Sequence, residues 1–189
     1  IEGSTQLWEK HPEAMKAALA KHDSLLRQIF QTHNGYIFKT VGDAFCVAFP
    51  IAQQGIQAAV EAQRTLQDAS WGQVVIQVRM GLHTGDADQR DNDYFGSSVN
   101  RVARLMSAGH GGQILISQAT KELIRDGLAD GVILRDMGQC RLKDLIHPEY
   151  IYQINIPNLL SDFPPLKTLD TQLNNLPPQL TPFVGRERE

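Results

Sequence analysis

Tyr36-Ile37-Phe38-Lys39-Thr40-Val41-Gly42-Asp43-Ala44-Phe45-Cys46-Val47-Ala48-Phe49 is the stretch that decides the fold. Two β-prone runs are separated only by Gly42-Asp43, the pattern of a tight hairpin with Asp43 at its tip. Upstream, Met15, Leu19, Leu26, Ile29 and Phe30 recur at spacings of three and four, which predicts a helix over residues 11–33 stopped by Asn34-Gly35. Downstream, Ile56, Ala59, Val60, Ala62, Gln63 and Leu66 predict a second helix over residues 51–69, broken by Ser70-Trp71-Gly72. Residues 74–83 return to strand-like alternation. Residues 97–108 are helical in pattern, with Val99, Val102, Ala103, Leu105 and Met106 on the apolar side. A short strand over 113–117, a short helix over 118–126 and strands over 132–142 and 150–156 complete the reading. The order is that of a βαββαβ unit whose first strand is expected upstream of Ile1: an α+β fold with an antiparallel-rich sheet and helices on one face.

The 189 residues are 42% hydrophobic and 21% charged, enough to bury one core. A formal net charge of −3 gives no basic field for a nucleic-acid backbone, whereas a single nucleotide needs only local positive charge. Cys46 and Cys140 lie far apart in apolar runs and read as reduced, structural residues. No apolar stretch approaches the roughly 20 residues that cross a bilayer, so the expected compartment is the cytoplasm. The chain opens at Ile1 without a methionine and reads as a piece of a longer protein.

Several residue types are suited to nucleotide chemistry. A carboxylate on a tight turn, such as Asp43, is either an ordinary turn residue or a holder of Mg²⁺, which takes one or two carboxylates and fills its octahedron with water and phosphate oxygens. Gly3-Ser4-Thr5 opens a helix and offers backbone N–H groups and a dipole to phosphate. Asn100 and Arg104 stand four apart, on one helical face. Gly111-Gly112 leads into a strand and reads as a turn, not a phosphate loop.

Lys39-Thr40-Val41-Gly42-Asp43, followed by Asp93 and Asn100-Arg101-Val102-Ala103-Arg104, resembles the catalytic domain of the class III nucleotidyl cyclases over residues 1–156. The resemblance implies a ferredoxin-like cyclase core and conversion of ATP to cyclic AMP and pyrophosphate by two divalent ions, Mg²⁺ or Mn²⁺. Asp43 would supply one metal carboxylate. The other belongs directly before the Ile1-Glu2-Gly3-Ser4-Thr5 loop, so the metal site extends to the position of Ile1. Lys39 and Asp93 would read the base, because adenine presents an acceptor at N1 and a donor at N6 and guanine the reverse. Asn100 would orient the ribose and Arg104 stabilise charge on the α-phosphate. Arg79, in Val78-Arg79-Met80-Gly81-Leu82-His83, and Lys143, in Arg141-Leu142-Lys143-Asp144-Leu145, resemble phosphate contacts and fit a structural salt bridge equally well. Arg101 departs from the small apolar residue many members carry and is expected to face solvent.

The family's active sites are shared between two protomers, which implies a homodimer. Lacking the first strand, residues 1–189 alone are expected to be weakly active or inactive. Residues 157–180 read as a Pro-rich linker. Residues 181–189 resemble the entry to a signal-transduction ATPase domain. The competing readings are a guanylate cyclase, which Lys39 and Asp93 oppose, and a non-catalytic cyclase-homology module that dimerises or senses nucleotide.

Overall fold

The stretch 36–49 turns back on itself as expected: strand β1 (Tyr36–Val41) pairs antiparallel with β2 (Ala44–Ala48), Val41 facing Ala44 across the turn. Gly42 takes φ 60° there, a left-handed conformation that glycine enters freely. The computed structural model describes residues 1–124 and 128–170. Ahead of the hairpin lie α1 (Ser4–Lys10) and α2 (Pro12–Thr32), separated at His11, with Pro12 supplying the preset φ of a first helical turn. Asn34, at φ 58°, and the bond from Gly35 N–H to Phe30 O, 2.7 Å, end α2 where Asn34-Gly35 was expected to.

Behind the hairpin come α3 (Ala52–Asp68), β3 (Met80–Leu82), β4 (Asp88–Arg90), β5 (Asp93–Phe95) and α4 (Ser97–Ala108). After these follow β6 (Ile114–Ser117), α5 (Gln118–Leu123), β7 (Ile133–Cys140) and β8 (Glu149–Asn155). The helix expected over 118–126 is helical to Leu123, and 125–127 lie outside the described residues. No helix among the described residues is long and apolar enough to cross a membrane.

Three expectations change. Only Met80–Leu82 of the strand expected over 74–83 enters a ladder. Val74 and Ile76 are still buried in alternation with exposed Val75 and Gln77, but the backbone is met singly, by Glu2 N–H on Gln77 O at 2.8 Å and Gly112 N–H on Val78 O at 3.0 Å. Second, the strands form three ladders instead of one sheet: β1-β2, β4-β5, and a four-stranded sheet in the order β3-β6-β8-β7, parallel only between β3 and β6. The hairpin is joined to the rest by side chains, Phe45 and Phe49 packing with Phe30 of α2 and the apolar face of α3. Third, helices cover both faces of the four-stranded sheet. Ile114 and Ile116 pack against Ile56 and Val60 of α3, while Leu115, pointing the other way, packs against Leu105 and Ala108 of α4. All four β6 residues are buried, as a strand covered on both sides requires.

Helix α4 crosses β3 closely enough that a Cβ on Gly81 would stand 2.8 Å from Met106 N and 2.9 Å from its Cβ. Backbone on both sides cannot give way cheaply. Gly81→Ala should therefore cost about 1–3 kcal/mol, read as a lowered midpoint in denaturant unfolding. An unchanged midpoint would mean that α4 can slide along the sheet.

Residues 157–170, at the start of the segment expected to be a linker, carry no helix or strand but lie along the domain. Gln153 Nε2 donates to Ser161 O at 2.7 Å, Arg135 pairs with Asp162 at 2.9 Å and Phe163 stacks on His110. Leu166 is buried in the α4 cluster. The expected ATPase entry at 181–189 lies outside the described residues.

Candidate active site

The hairpin β4-β5, whose turn has positive φ at both Asp91 (47°) and Asn92 (63°), brings Asp93 against β1. Asp-Asn is a good pair for such a primed turn and was the legible signal for this unforeseen hairpin. The two hairpins pack through aromatic edges, Phe38 to Tyr94 at 5.0 Å and Tyr36 to Tyr94 at 6.4 Å, and Tyr36 Oη donates to Asn92 O at 3.3 Å. In consequence Lys39 Nζ forms an ion pair with Asp93 Oδ2. The Lys39 bond holds the Asp93 carboxyl below its usual range; partial desolvation opposes it, and the Tyr94 amide, 2.8 Å from Oδ1, adds to it. Phe95 lies under the pair, its ring centroid 5.4 Å from Lys39 Nζ and 6.0 Å from Arg90 Cζ. Cys46 faces Lys39 in register; both cysteines are free thiols, pushed up in pKa by burial.

At the other end of β1, Asp43 meets the N-terminal loop. Its Oδ2 is buried without a hydrogen bond from any side chain or amide, and its one neighbour of opposite charge is the Ile1 amino group at 2.9 Å. Burial pushes the Asp43 carboxyl up, but hydrogen bonding and charge from Ile1, with a bond from Ser4, leave it below the ordinary value. Only the backbone nitrogen of Ile1 faces Asp43. Its side chain packs in the apolar cluster of Met15 and Ile76 and cannot ligate a metal. Gly3, at φ 67°, caps α1, so Ser4 and Thr5 open its first turn beside Asp43. No group of three or more His, Cys, Asp or Glu suited to a metal exists among the described residues.

The third place is α4. Asn100 is exposed on its first turns, and one turn on Arg104 Nη2 reaches Asp144 Oδ2 at 2.7 Å, the aspartate standing in a turn at φ 62°. Arg104 and Lys143 line a small cavity of about 130 Å³ together with Ser107 and Lys167. The larger cavity, about 310 Å³, opens between α3 and the start of β7 and touches none of these residues. Arg101 does not face solvent as expected: one position round the helix from Asn100, it points at the sheet and pairs with Glu149 of β8. Arg79 is half-buried just ahead of β3 and makes no ion pair among the described residues.

The fold thus joins Lys39 to Asp93, Asp43 to the Ile1–Ser4 loop, and Arg104 to the surroundings of Lys143. Among the described residues no hydrogen bond or ion pair joins the Lys39–Asp93 pair to the other two places, whereas Glu2 of the N-terminal loop is tied through Lys167 to the surroundings of Arg104. Sequence reasoning missed Asp144 and also Glu2, which accepts from Gly111 N–H at 2.6 Å and from Lys167 Nζ at 2.8 Å. Neither residue carries a local signal, because each is defined by a distant partner.

The profile of the adenylate and guanylate cyclase catalytic domain matches residues 1–155. This chain belongs to that family. Within it, the cyclase domain is 36% identical over 192 residues to an uncharacterized protein of Mycobacterium tuberculosis, matching 100% of this chain and 65% of that one. The chain therefore spans 65% of the length of this mycobacterial relative. It is 30% identical over 217 residues to an adenylate cyclase of Podospora anserina, matching 85% of this chain and 10% of the fungal one. Among solved structures, an adenylate cyclase from Trypanosoma brucei in its monomeric state superposes with a TM-score of 0.78 at 27% identity, covering 88% of each chain. An adenylyl cyclase from Pseudomonas aeruginosa gives a TM-score of 0.66 at 29% identity, covering 85% of this cyclase domain and 92% of that chain.

Proposed function

We propose that this cyclase domain converts ATP to 3′,5′-cyclic AMP and pyrophosphate for cyclic-nucleotide signalling. The Lys39–Asp93 pair carries the reading. An ammonium and a carboxylate side by side offer one donor and one acceptor, complementary to N1 and N6 of adenine and mismatched to guanine. The pair is reachable, since Lys39 is 42% exposed and Asp93 19%. Two mutually satisfied groups also hold each other in place until a base exchanges with them.

The remaining residues divide the work. Asn100, exposed one turn before Arg104, orients the ribose so that its 3′-hydroxyl lies in line with the α-phosphate, and Arg104 neutralises charge gathering on that phosphate. The Gly3-Ser4-Thr5 turn, Arg79 and Lys143 hold the phosphate chain. When bound, two Mg²⁺ or Mn²⁺ ions supply Lewis acidity at the attacking hydroxyl and the phosphoryl oxygens. Asp43 suits such a cation, because its carboxylate is largely buried at the hairpin tip, where it faces the Ile1–Ser4 loop. The Ile1–Ser4 loop runs beside Asp43, which suits the second metal carboxylate expected directly before Ile1.

That Asp43 and Arg104 share no hydrogen bond or ion pair with each other or with the Lys39–Asp93 pair among the described residues supports a homodimer in which the metal carboxylates of one chain face the base- and phosphate-reading residues of its partner. We place the reaction in the cytoplasm, where ATP is made. The test is a chromatographic assay of cyclic AMP and cyclic GMP formed from ATP and GTP with Mg²⁺ or Mn²⁺, using a chain that includes the residues ahead of Ile1. Cyclic AMP in excess is expected. Cyclic GMP in excess would make the domain a guanylate cyclase, and nucleotide binding without either product would make it a non-catalytic module.

A further inference from the structure

Lys167 stands outside the segment the family profile matches, yet it is fastened beside Arg104. Its N–H donates to Ala108 O at 2.9 Å, at the C-terminal end of α4, and its Nζ reaches Gly109 O at 3.3 Å and Glu2 Oε1 at 2.8 Å. Both chain neighbours, Leu166 and Thr168, are buried, so the backbone here cannot swing away. The same lysine lines the 130 Å³ cavity with Arg104 and Lys143. Three cations surround this cavity against two carboxylates, Asp144 on Arg104 and Glu2 on Lys167. Lys143 has no ion-pair partner among the described residues, so the cavity keeps one unit of positive charge, and two more cations are held by carboxylates that an incoming anion can displace. A small cavity with several convergent donors suits a compact polyanion and has no room for a base.

We propose that Lys167, with Lys143 and Arg104, forms a subsite for a pyrophosphate group, and that Glu2 competes with that group for Lys167. The inference deepens the cyclase reading and rests on it for the origin of the group: the β,γ end of bound ATP, or the pyrophosphate left after cyclisation. It makes residues 157–170 a working part of the site. Glu2 is the residue before Gly3, so releasing Lys167 from Glu2 also frees one tether of the loop beside Asp43. The plain alternative is a structural clamp, in which Lys167 serves only to tie Glu2 and the end of α4 together.

The two roles differ in sign. Binding of inorganic pyrophosphate to the full chain, measured by calorimetry in chelator-containing buffer, needs neither metal nor turnover. Lys167→Gln and Lys143→Gln should each weaken it about tenfold, the loss expected for one charge-assisted contact, with Lys167→Arg retaining most of the affinity and AMP binding unchanged in all. Glu2→Gln should tighten it several-fold, because the competing carboxylate is gone. The source of the group is separated by kinetics in the extended protein. A raised KM for ATP in Lys167→Gln assigns the subsite to the substrate's tail, and weaker product inhibition at unchanged KM assigns it to the product. Pyrophosphate affinity unchanged in Lys167→Gln, or Glu2→Gln weakening it as Lys167→Gln does, would overturn the proposal in favour of the clamp. Failure of the cyclase reading shows separately, as absence of cyclic nucleotide whatever the pyrophosphate titration gives.

Discussion

Asp43→Ala and Asn100→Ala proteins, each inactive alone, should regain about a quarter of wild-type cyclic AMP formation when mixed in equal amounts. In a homodimer whose sites take the metal carboxylate from one chain and the ribose- and phosphate-reading residues from the other, either lesion destroys both symmetric sites. A mixed dimer gathers both lesions in one site and leaves the other whole. Random exchange makes half the dimers mixed, each with one good site of two. Among the described residues Asp43 and Arg104 share no hydrogen bond or ion pair with each other or with the Lys39–Asp93 pair, which motivates the division. The assay is cyclic AMP against mixing ratio, in chains that include the residues ahead of Ile1, with subunit exchange followed by labelled protein. No recovery despite demonstrated exchange would put Asp43 and Asn100 in one protomer's site.

Lys39→Glu with Asp93→Cys should lower the ratio of kcat/KM for ATP to that for GTP by a factor on the order of a hundred, two mismatched base contacts at about 1–3 kcal/mol each. The double change is needed because Lys39→Glu alone would set a second carboxylate against Asp93, with which Lys39 is now paired. That repulsion would disturb the two hairpins before any base arrived. With the carboxylate moved to β1, the site offers an acceptor where guanine presents its N1 donor. Only the ratio is expected to move this far, since phosphate and ribose contacts are untouched. An unchanged ratio would show that neither residue touches the base.

Much of this protein was determined locally. The tight turn at Gly42-Asp43, the apolar stripe of α2 and the Asn100–Arg104 face of α4 follow from backbone periods of two and 3.6 residues and from glycine's freedom at positive φ, all properties of neighbours in the chain. The joint pattern of Lys39, Asp43, Asp93, Asn100 and Arg104 carried the family for the same reason: each residue sits at a defined place on a locally specified element. Even the unforeseen β4-β5 hairpin was written locally, in Asp91-Asn92, but its strands are too short for alternation to register.

What only the tertiary structure decided depends on partners distant in sequence. Period-two alternation shows that residues 74–79 have two faces but not what their backbone pairs with, so most of an expected strand stayed out of the ladder. A run such as Ile114–Ser117, apolar on both sides, is compatible with one covering helix layer or two, and only packing put α3 and α4 on opposite faces. Arg101 turned to Glu149 and Arg104 to Asp144 because an ion pair is set by where chains cross, which no spacing rule encodes. The Pro-rich composition of residues 157–180 showed no periodicity, and their described part, 157–170, holds no helix or strand. It carried no information about Leu166, whose burial against α4 fixes Lys167 beside Arg104 and Lys143, because a single apolar side chain finds its pocket only once the rest of the molecule has made one.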